Sequence, residues 1–526
     1  MFSGDTELVT RRTWTLTLVC VITFMLVLDL TVVAVAIPDI QRSLNADLSD
    51  LQWMVDAYSV PLAALLLTAA TLGDRVGRRT LFFLGTGIFT VGSLTCGLTN
   101  TAGLLNVARA LQGVGGAMLF GIGLPMIADA YPGGRSRNLA VGIFGAVTGS
   151  AIALGPLIGG ALTDSFGWRW IFFINVPIGL ATLVLARGRL VPSARSRQSV
   201  IDVPGTVLLA GGLFALVLAL IRGNNDGWGS GRILGLLGSG AVLLILFAVV
   251  EFHKADPMVD LGLFRNITYS ANALVAFTIQ GTLVASTTYL SLYAQNVLGL
   301  TPFQTGLRFL PFSLSGFCAA LLAVPLVTRV ATRWMVGLTA AFTSAGLMLL
   351  ARLDVGSSWT VLVPGFVVAG VGLGSSTTIL NQVALVGSER SRAGLAGGTV
   401  MALRQLGVAS GVAILGALYA HVITARVTVG LRGLPFTDSQ TDRLAAAVAS
   451  GSGPRVAGAV PLPFKDAVAS TARQATVDGL HHILWLAAAA AGAAALVGFA
   501  SVRDVREARA AQPAVMVPET GPTPRG

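Results

Sequence analysis

Residues 14–40 read WTLTLVCVITFMLVLDLTVVAVAIPDI, an almost wholly apolar stretch in which Asp29 lies near the middle and a second acid, Asp39, lies next to the end. About 20 consecutive apolar residues are enough for a helix to cross a bilayer. A carboxylate inside such a helix costs roughly 3 kcal/mol or more, so it is retained where it has a task. The stretch therefore predicts a membrane-spanning helix with a functional acid inside it.

Apolar stretches recur along the whole chain of 526 residues, which is 54% hydrophobic and only 11% charged, with a mean hydropathy of +0.77. A soluble domain has about 25% charged residues. The polar segment 1–12 is short, and we expect no separate signal peptide. The sequence predicts an all-α polytopic membrane protein whose fourteen spans lie at 13–37, 51–72, 81–99, 102–128, 139–162, 170–187, 203–221, 233–252, 268–296, 306–328, 335–351, 360–385, 394–420 and 480–501.

The positive charge is distributed unevenly between the two faces of these spans. The formal net charge is +11, and with the N-terminus inside, 21 of the 35 Lys and Arg residues fall on inner loops and tails. Cytoplasmic loops are enriched in Lys and Arg, and this asymmetry accounts for the charge without a nucleic-acid partner. We expect both termini to be cytoplasmic and the lipid bilayer to be the main surrounding partner.

Motifs for enzymatic or metal chemistry are missing from the sequence. Cys20, Cys96 and Cys318 all fall in apolar spans and have no metal-ligand spacing. The sequence shows no phosphate-binding loop of the Walker type and no nucleophile triad. We therefore expect no enzyme activity, no cofactor and no metal.

The loops divide the chain into two six-span halves. The first half is 1–187, a linker and an inserted pair of spans occupy 188–267, and the second half is 268–502. Paired six-helix repeats are typical of transporters that bind substrate between the halves. A long outer segment at 421–479 interrupts the second half, either as a gate or as a tolerated insertion, and the tail 503–526 is expected to be disordered.

The loop after the second span reads LGDRVGRRTL at residues 72–81. Its two glycines, Gly73 and Gly77, allow a tight turn, and its charged residues exceed what topology alone requires. This motif resembles the loop signature of the major facilitator superfamily, which implies that the loop latches the two halves in the outward-open state. The implied switch residues are Gly73, Asp74, Arg75, Gly77, Arg78 and Arg79.

Two further motifs extend the resemblance. NVARALQGVGGAM, residues 106–118, is similar to the superfamily's span-4 motif, whose arginine, here Arg109, takes part in proton coupling; the alternative is an arginine that reaches the interface from the helix end. GIFGAVTGSAIALGPLIGGAL, residues 142–162, resembles the signature of antiporters. The residues that carry that second resemblance are Gly155, Pro156, Gly159 and Gly160.

Three more stretches narrow the resemblance to the fourteen-span drug:proton antiporters. LDLTVVAVAIP, residues 28–38, is similar to their first-span motif, although Ala34 stands where an asparagine is usual. The stretches at 168–180 and 391–413 resemble their sixth and thirteenth spans. The likeness implies a major facilitator fold with a two-helix insertion.

Asp29 and Asp56 are the acids that lie well inside predicted spans. A membrane carboxylate that exchanges a proton for a cationic drug is the simplest antiport device, so we assign proton coupling to Asp29 and Asp56, and the resemblance of the span-4 motif adds Arg109. Asp56 could instead be a helix-start carboxylate, and the tyrosines of span 9 could belong to an interfacial belt. The expected substrate cavity comprises Asp29, Asp56, Gln112, Asn175, Gln280, Tyr289, Tyr293, Asn381 and Arg404.

Together these features predict a proton-coupled exporter of hydrophobic, cationic or amphipathic drugs in the bacterial cytoplasmic membrane. A dedicated exporter of one self-made metabolite is the main alternative. A nutrient importer driven by proton symport and a sensor on the same scaffold are two others. The antiporter motif argues against import, and the two membrane acids argue against a sensor.

Overall fold

The computed structural model describes residues 2–131, 134–191, 202–254, 257, 259, 261–326, 329–386, 393–432, 434–449 and 462–502. Every regular element within these ranges is helical. Three short 3₁₀ turns occupy Leu261–Arg265, Trp359–Val361 and Leu462–Phe464. The α-helices are α1 Phe2–Leu44, α2 Leu48–Val76, α3 Arg78–Leu98, α4 Ala102–Ala130, α5 Gly134–Phe166, α6 Trp170–Phe173, α7 Asn175–Ala186, α8 Val203–Asp226, α9 Gly231–His253, α10 Ile267–Asn296, α11 Pro302–Leu326, α12 Thr332–Leu350, α13 Leu362–Val386, α14 Ala393–Gly430, α15 Asp438–Ala449 and α16 Lys465–Ser501.

The helices confirm the all-α membrane fold. Within the described residues, 11 helices are long and apolar enough to cross a membrane, or 12 if the bent pair in α5 counts as one span. The stretch Trp170–Ala186, which contains α6 and α7, is a shorter apolar segment. A helix lies at every one of the predicted spans, but the number of membrane crossings stays a prediction.

Polar side chains fix where several helices begin. Asp47 caps α2, and Asp50 returns the hydrogen bond in a capping box. Thr101 caps α4 by accepting from Leu104 N, and Ser230 caps α9 in the same way. These caps satisfy backbone N–H groups that a helix start leaves without partners. They keep the turns between antiparallel helices short.

Glycines bring the helices of the first half into close contact. A methyl group on Gly113 of α4 would overlap the carbonyl of Tyr58 in α2. On the neighbouring face, a methyl group on Gly115 would lie 2.7 Å from Phe89 N in α3. Small residues at such crossings let backbones approach within a membrane, where packing rather than hydrophobic burial drives association.

The long segment 421–479 differs from the predicted outer loop. α14 continues to Gly430 and α16 begins at Lys465, so both helices extend beyond the spans predicted from hydropathy. The extensions are joined by an ion pair of 3.1 Å between Arg426 and Asp478. Hydropathy missed them because their solvent-facing residues are polar. The short helix α15 lies between the two extensions, and residues 450–461 lie outside the described part.

The bundle has two ends. We call the end with the start of α1 and the loop 73–79 the terminal end, and the opposite end, with the α1–α2 turn, the distal end. The two halves contact each other toward the distal end: Gln295 of α10 donates to Val35 O at 2.7 Å, and Thr301 lies 3.4 Å from Asp164. The inserted hairpin α8–α9 packs on α2 and α14 through α8.

Candidate functional site: a buried polar network between α1 and α4

Asp29 forms a buried ion pair with Arg109. Asp29 Oδ2 lies 2.5 Å from Arg109 Nη1, and both residues are only 1% exposed. Arg109 also donates from Nε to Met54 O at 3.1 Å. The arginine of α4 therefore points into the bundle and joins α1, α2 and α4, rather than reaching toward the interface.

Two amides complete the coordination of Asp29. Asn175 Nδ2 and Gln112 Nε2 donate to Asp29 Oδ1 at 3.0 and 3.3 Å. Gln112 Oε1 in turn accepts from Arg109 Nη1 at 2.9 Å. Ser93 of α3 accepts from both amides, at 3.0 Å from Gln112 and 2.9 Å from Asn175. These five residues, Asp29, Ser93, Arg109, Gln112 and Asn175, are called the Asp29 network below.

Aromatic rings cover the guanidinium of the network. The Cζ atom of Arg109 lies 4.4 Å from the ring centroid of Tyr58 and 5.8 Å from that of Phe172. A desolvated cation over an aromatic face gains about 2 kcal/mol. The positive charge of Arg109 is thus held by a carboxylate, two carbonyl oxygens and two rings.

Asp56 of α2 is buried without any such partner. It is 0% exposed, and neither carboxyl oxygen has a hydrogen-bond donor among the described residues. Tyr289 of α10 is an electrostatic neighbour of Asp56 and also contacts Gln52 of α2. The two acids predicted from the sequence therefore differ sharply, because Asp29 is fully coordinated and Asp56 is not.

The remaining predicted cavity residues belong to the second half. Tyr289 donates to Val412 O at 3.0 Å, and its ring lies 5.0 Å from that of Tyr419. Tyr293 donates to Asp354 O at 3.4 Å. Both span-9 tyrosines are 1% exposed, so they pack inside the bundle rather than facing lipid. Gln280 and Asn381 are half-buried.

Arg404 of α14 is a second buried cation. It is 4% exposed and donates from Nη2 to Ser376 O at 2.9 Å. Its Nε has no hydrogen-bond partner among the described residues. Among the described residues, the buried guanidinium of Arg404 therefore donates to a neutral carbonyl oxygen rather than to a carboxylate.

The loop 73–79 is tied to α4 of the same half. Arg78 Nη1 lies 2.7 Å from Asp129 Oδ2 and donates to Pro125 O at 3.0 Å. Gly77 has a φ of +105°, which favours glycine. Arg75 is exposed, and Arg79 lies 5.9 Å from the ring of Phe83. The side chain of Asp74 lies outside the described part of the structure.

The antiporter motif of α5 contacts both halves. A methyl group on Gly155 would overlap Thr31 of α1, and one on Gly159 would lie 2.9 Å from Val32 Cα of the same helix. On the other side, a methyl group on Gly160 would lie 2.5 Å from Pro302 O of α11. Across the same contact, a methyl group on Gly306 of α11 would overlap Pro156 O. α5 therefore meets α11 backbone to backbone, at the boundary between the halves.

Sequence reasoning missed several members of these clusters. Ser93 and Tyr58 were not singled out, and Cys96, treated only as an apolar cysteine, donates to Gln112 Oε1 at 3.3 Å. Gln52, which reaches Tyr289, was also missed. A polar residue at a helical spacing from a predicted functional residue could have identified Gln52, four residues before Asp56. Nothing in the sequence pairs Ser93 with Asn175.

The sequence profile described as "Major Facilitator Superfamily" matches residues 19–412. The chain belongs to the major facilitator superfamily. This places it in a family of integral membrane proteins that transport small molecules. Within the described residues, no group of three or more His, Cys, Asp or Glu side chains could hold a metal ion.

Two similar bacterial proteins match 90% or more of this chain. The chain is 34% identical over 485 residues to "Multidrug resistance protein Stp" of Mycobacterium tuberculosis, covering 90% of this chain and 89% of the relative. It is 33% identical over 530 residues to "Tetracenomycin C resistance and export protein" of Streptomyces glaucescens, covering 98% and 95%.

A solved structure shows the same fold. A bacterial homolog of the human lysosomal transporter Spinster, described as inward-facing and unoccupied, has a TM-score of 0.59 and 17% identity. It covers 94% of this chain and 98% of its own. At this identity the comparison shows the fold alone, and it confirms the predicted major facilitator architecture.

Proposed function

We propose that this chain is a proton-coupled antiporter that exports hydrophobic, cationic or amphipathic drugs from the cytoplasm. The names of its relatives support export and resistance: Stp is a multidrug resistance protein, and the Streptomyces glaucescens protein is a tetracenomycin C resistance and export protein. Asp56, a wholly buried acid without a hydrogen-bond donor among the described residues, is the observation that carries the proton coupling.

Asp56 holds a proton in this conformation. An ionised carboxylate in a membrane interior loses its hydration, at an effective cost on the order of several kcal/mol when nothing replaces it. Asp56 has neither a cation nor a hydrogen-bond donor among the described residues to offset that cost. A cationic substrate that arrives beside Asp56 supplies the missing positive charge and releases the proton, which is the exchange that antiport requires.

Asp29 has the complementary task. Its carboxylate is the counter-ion of Arg109 and accepts from two amide donors. A proton that enters Asp29 would neutralise the counter-ion of Arg109 and weaken the contact between α4 and α1, while Arg109 still donates to Met54 O of α2. Protonation of Asp29 is therefore coupled to helix rearrangement, while Asp56 exchanges proton for substrate.

The distal contacts between the halves support a conformation closed at the distal end. With both termini cytoplasmic, as the charge distribution predicts, that end faces outward and the structure is inward-facing. Substrate then enters between the halves from the terminal end. The remaining polar residues proposed to line its path are Gln280, Tyr289, Tyr293, Asn381 and Arg404.

The two motif segments act on the conformational change. The loop 73–79 latches the halves in the outward-facing state, and its contact here with α4 of its own half fits a released latch. The glycines of α5 allow distal closure against α11. The proposed division remains 1–187, 188–267 and 268–502, with the tail 503–526 outside the described residues.

Export of a single self-made compound is the second candidate. The relative from Streptomyces glaucescens combines resistance with export of tetracenomycin C, and the chain covers 95% of it. Under this alternative the same proton exchange drives a narrower substrate range. The proposal includes no cofactor and no metal.

The test is a panel of toxic compounds in a pump-deleted host that carries the wild-type chain or Asp56→Asn. We expect the wild type to protect against several chemically unrelated cations and the variant to protect against none at equal membrane abundance. Protection against one compound only would indicate the dedicated exporter. Equal protection by Asp56→Asn would contradict proton coupling through this residue.

A further inference from the structure

Two carboxyl groups meet at the base of the inserted hairpin, remote in sequence from the residues assigned above. Asp202 caps α8, and Glu251 lies in the last turn of α9. Both are buried, at 6% and 2% exposure. No motif of the sequence analysis includes either residue, and the function proposed above does not use them.

One oxygen of each carboxyl is coordinated. Asp202 Oδ1 accepts from Gly205 N at 2.7 Å and forms an ion pair with Lys254. Glu251 Oε2 accepts from Val259 N at 2.8 Å. The pair therefore ties α8 to the end of α9 and to the segment that leads into α10.

The other two oxygens face each other above Gly205. A methyl group on Gly205 would overlap Asp202 Oδ2 and would lie 2.6 Å from Glu251 Oε1. Neither oxygen receives an N–H or O–H donor from another described residue. Buried oxygens in native proteins usually have a hydrogen-bond donor. A proton on one of these two oxygens would supply that donor, because the protonated carboxyl group could donate to the other oxygen.

We propose that Asp202 and Glu251 share one proton and form a pH-sensitive clasp that holds the inserted hairpin to the start of the second half. Glu251 carries the proton and donates it to Asp202 Oδ2. When the proton leaves, two anions face each other with Lys254 as the described cation beside them, and like charges at this distance repel. The clasp is closed at low pH and opens as pH rises.

The surroundings favour this arrangement of charge. Burial alone would raise the pKa of Asp202, but the hydrogen bonds from Glu251, Lys254 and Gly205 N hold it below its usual range. From α2, the element packed against this part of α8, Thr68 contributes a hydroxyl to Thr206 at 2.6 Å. Asp202 is thus the anion of the pair and Glu251 the acid.

The other charged groups that the structure describes near the pair lie on the exposed side of α9. His253 is exposed, with Nδ1 at 2.8 Å from Val249 O, and Arg265 lies 6.0 Å from the ring of Phe252, which is 63% exposed. Glu251 faces the opposite, buried side. The His253 ring therefore lies on the outside of the hairpin, away from the clasp.

The test is hydrogen–deuterium exchange of the full-length protein in detergent, followed over peptides that cover 251–265 as pH is raised. In the wild type we expect slow exchange at low pH and faster exchange, beyond the intrinsic pH effect, once the proton leaves. Glu251→Gln should exchange slowly at every pH, because its amide donates permanently to Asp202 and its carbonyl still accepts from Val259. Gly205→Ala should exchange fast at every pH, because its methyl group separates the carboxyls.

Gly211→Ala is the matched control on the same helix, since its methyl group would meet only Leu243 Cδ1 at 3.4 Å. It should behave as the wild type does. Infrared spectroscopy gives a second readout, and we expect a protonated-carboxyl band that Glu251→Gln removes. A pH profile of Glu251→Gln equal to that of the wild type, together with an unchanged band, would overturn the shared proton. Protection at high pH that depends on sodium would show a metal cation in its place. None of these measurements requires transport, so they fail or succeed independently of the proposed function.

Discussion

Removal of Arg109 should destabilise the protein more than removal of the charge of Asp29. In Arg109→Met, the Asp29 carboxylate keeps the amide donors of Gln112 and Asn175 but loses its cation. Breaking a buried ion pair by removing one partner costs about 3–5 kcal/mol. In Asp29→Asn, Arg109 keeps Met54 O, Gln112 Oε1 and the Tyr58 ring, so we expect a clearly smaller loss.

The double variant Asp29→Asn/Arg109→Met separates this account from simple damage. With both charges absent, no uncompensated ion remains, and the double variant should recover most of the stability that Arg109→Met loses. The assay is a thermal unfolding scan in one detergent at fixed pH. Because a bundle of this size need not unfold in two states, the ranking of Tm values is compared. Equal losses in the single variants, or additive losses in the double variant, would refute the reasoning.

Three other substitutions test separate parts of the proposal. Arg78→Gln should lower the turnover rate with little change in KM, because Arg78 acts on the conformational change. Arg79→Gln is the control and should have a smaller effect. Transport kinetics in proteoliposomes would contradict this prediction if KM alone rose in Arg78→Gln. Gly160→Ala should prevent distal closure and abolish transport. Gly145→Ala is the control and should be active, because no described atom lies within 4 Å of its added methyl group. Equal activity of the two variants in a vesicle efflux assay would exclude the α5–α11 contact as the gate. Arg404→Gln should raise KM with unchanged turnover if the Arg404 Nε, which has no acceptor among the described residues, binds substrate. A stability loss without a KM change in the same assay would make the residue structural.

The overall architecture was predictable because bilayer dimensions constrain sequence strongly. Runs of about 20 apolar residues, glycines at helix crossings and the Arg-rich loop 73–79 are local patterns, and each predicted span coincides with a helix. The extensions of α14 and α16 beyond the predicted spans escaped the same reasoning. Their residues are partly polar, and hydropathy cannot distinguish a helix in water from a loop.

The candidate site was predictable only in part. Asp29, Asp56 and Arg109 were conspicuous because charge is rare in apolar spans. Their different partners were not, since the contact of Asp29 with Arg109 joins residues 80 positions apart. Ser93 was missed for the same reason, because a serine in an apolar helix becomes meaningful only when the partner helices are known.

The central claim is that Asp56 carries the proton that a cationic drug displaces. Its most direct test is proton release from the purified protein in weakly buffered detergent solution when a cationic drug is added. The account predicts release in the wild type and none in Asp56→Asn, with drug binding followed in parallel to show that the variant was exposed to saturating drug. Asp29→Asn should still release a proton on binding. Release that persists in Asp56→Asn and disappears in Asp29→Asn would contradict the account and assign the exchangeable proton to the Asp29 network.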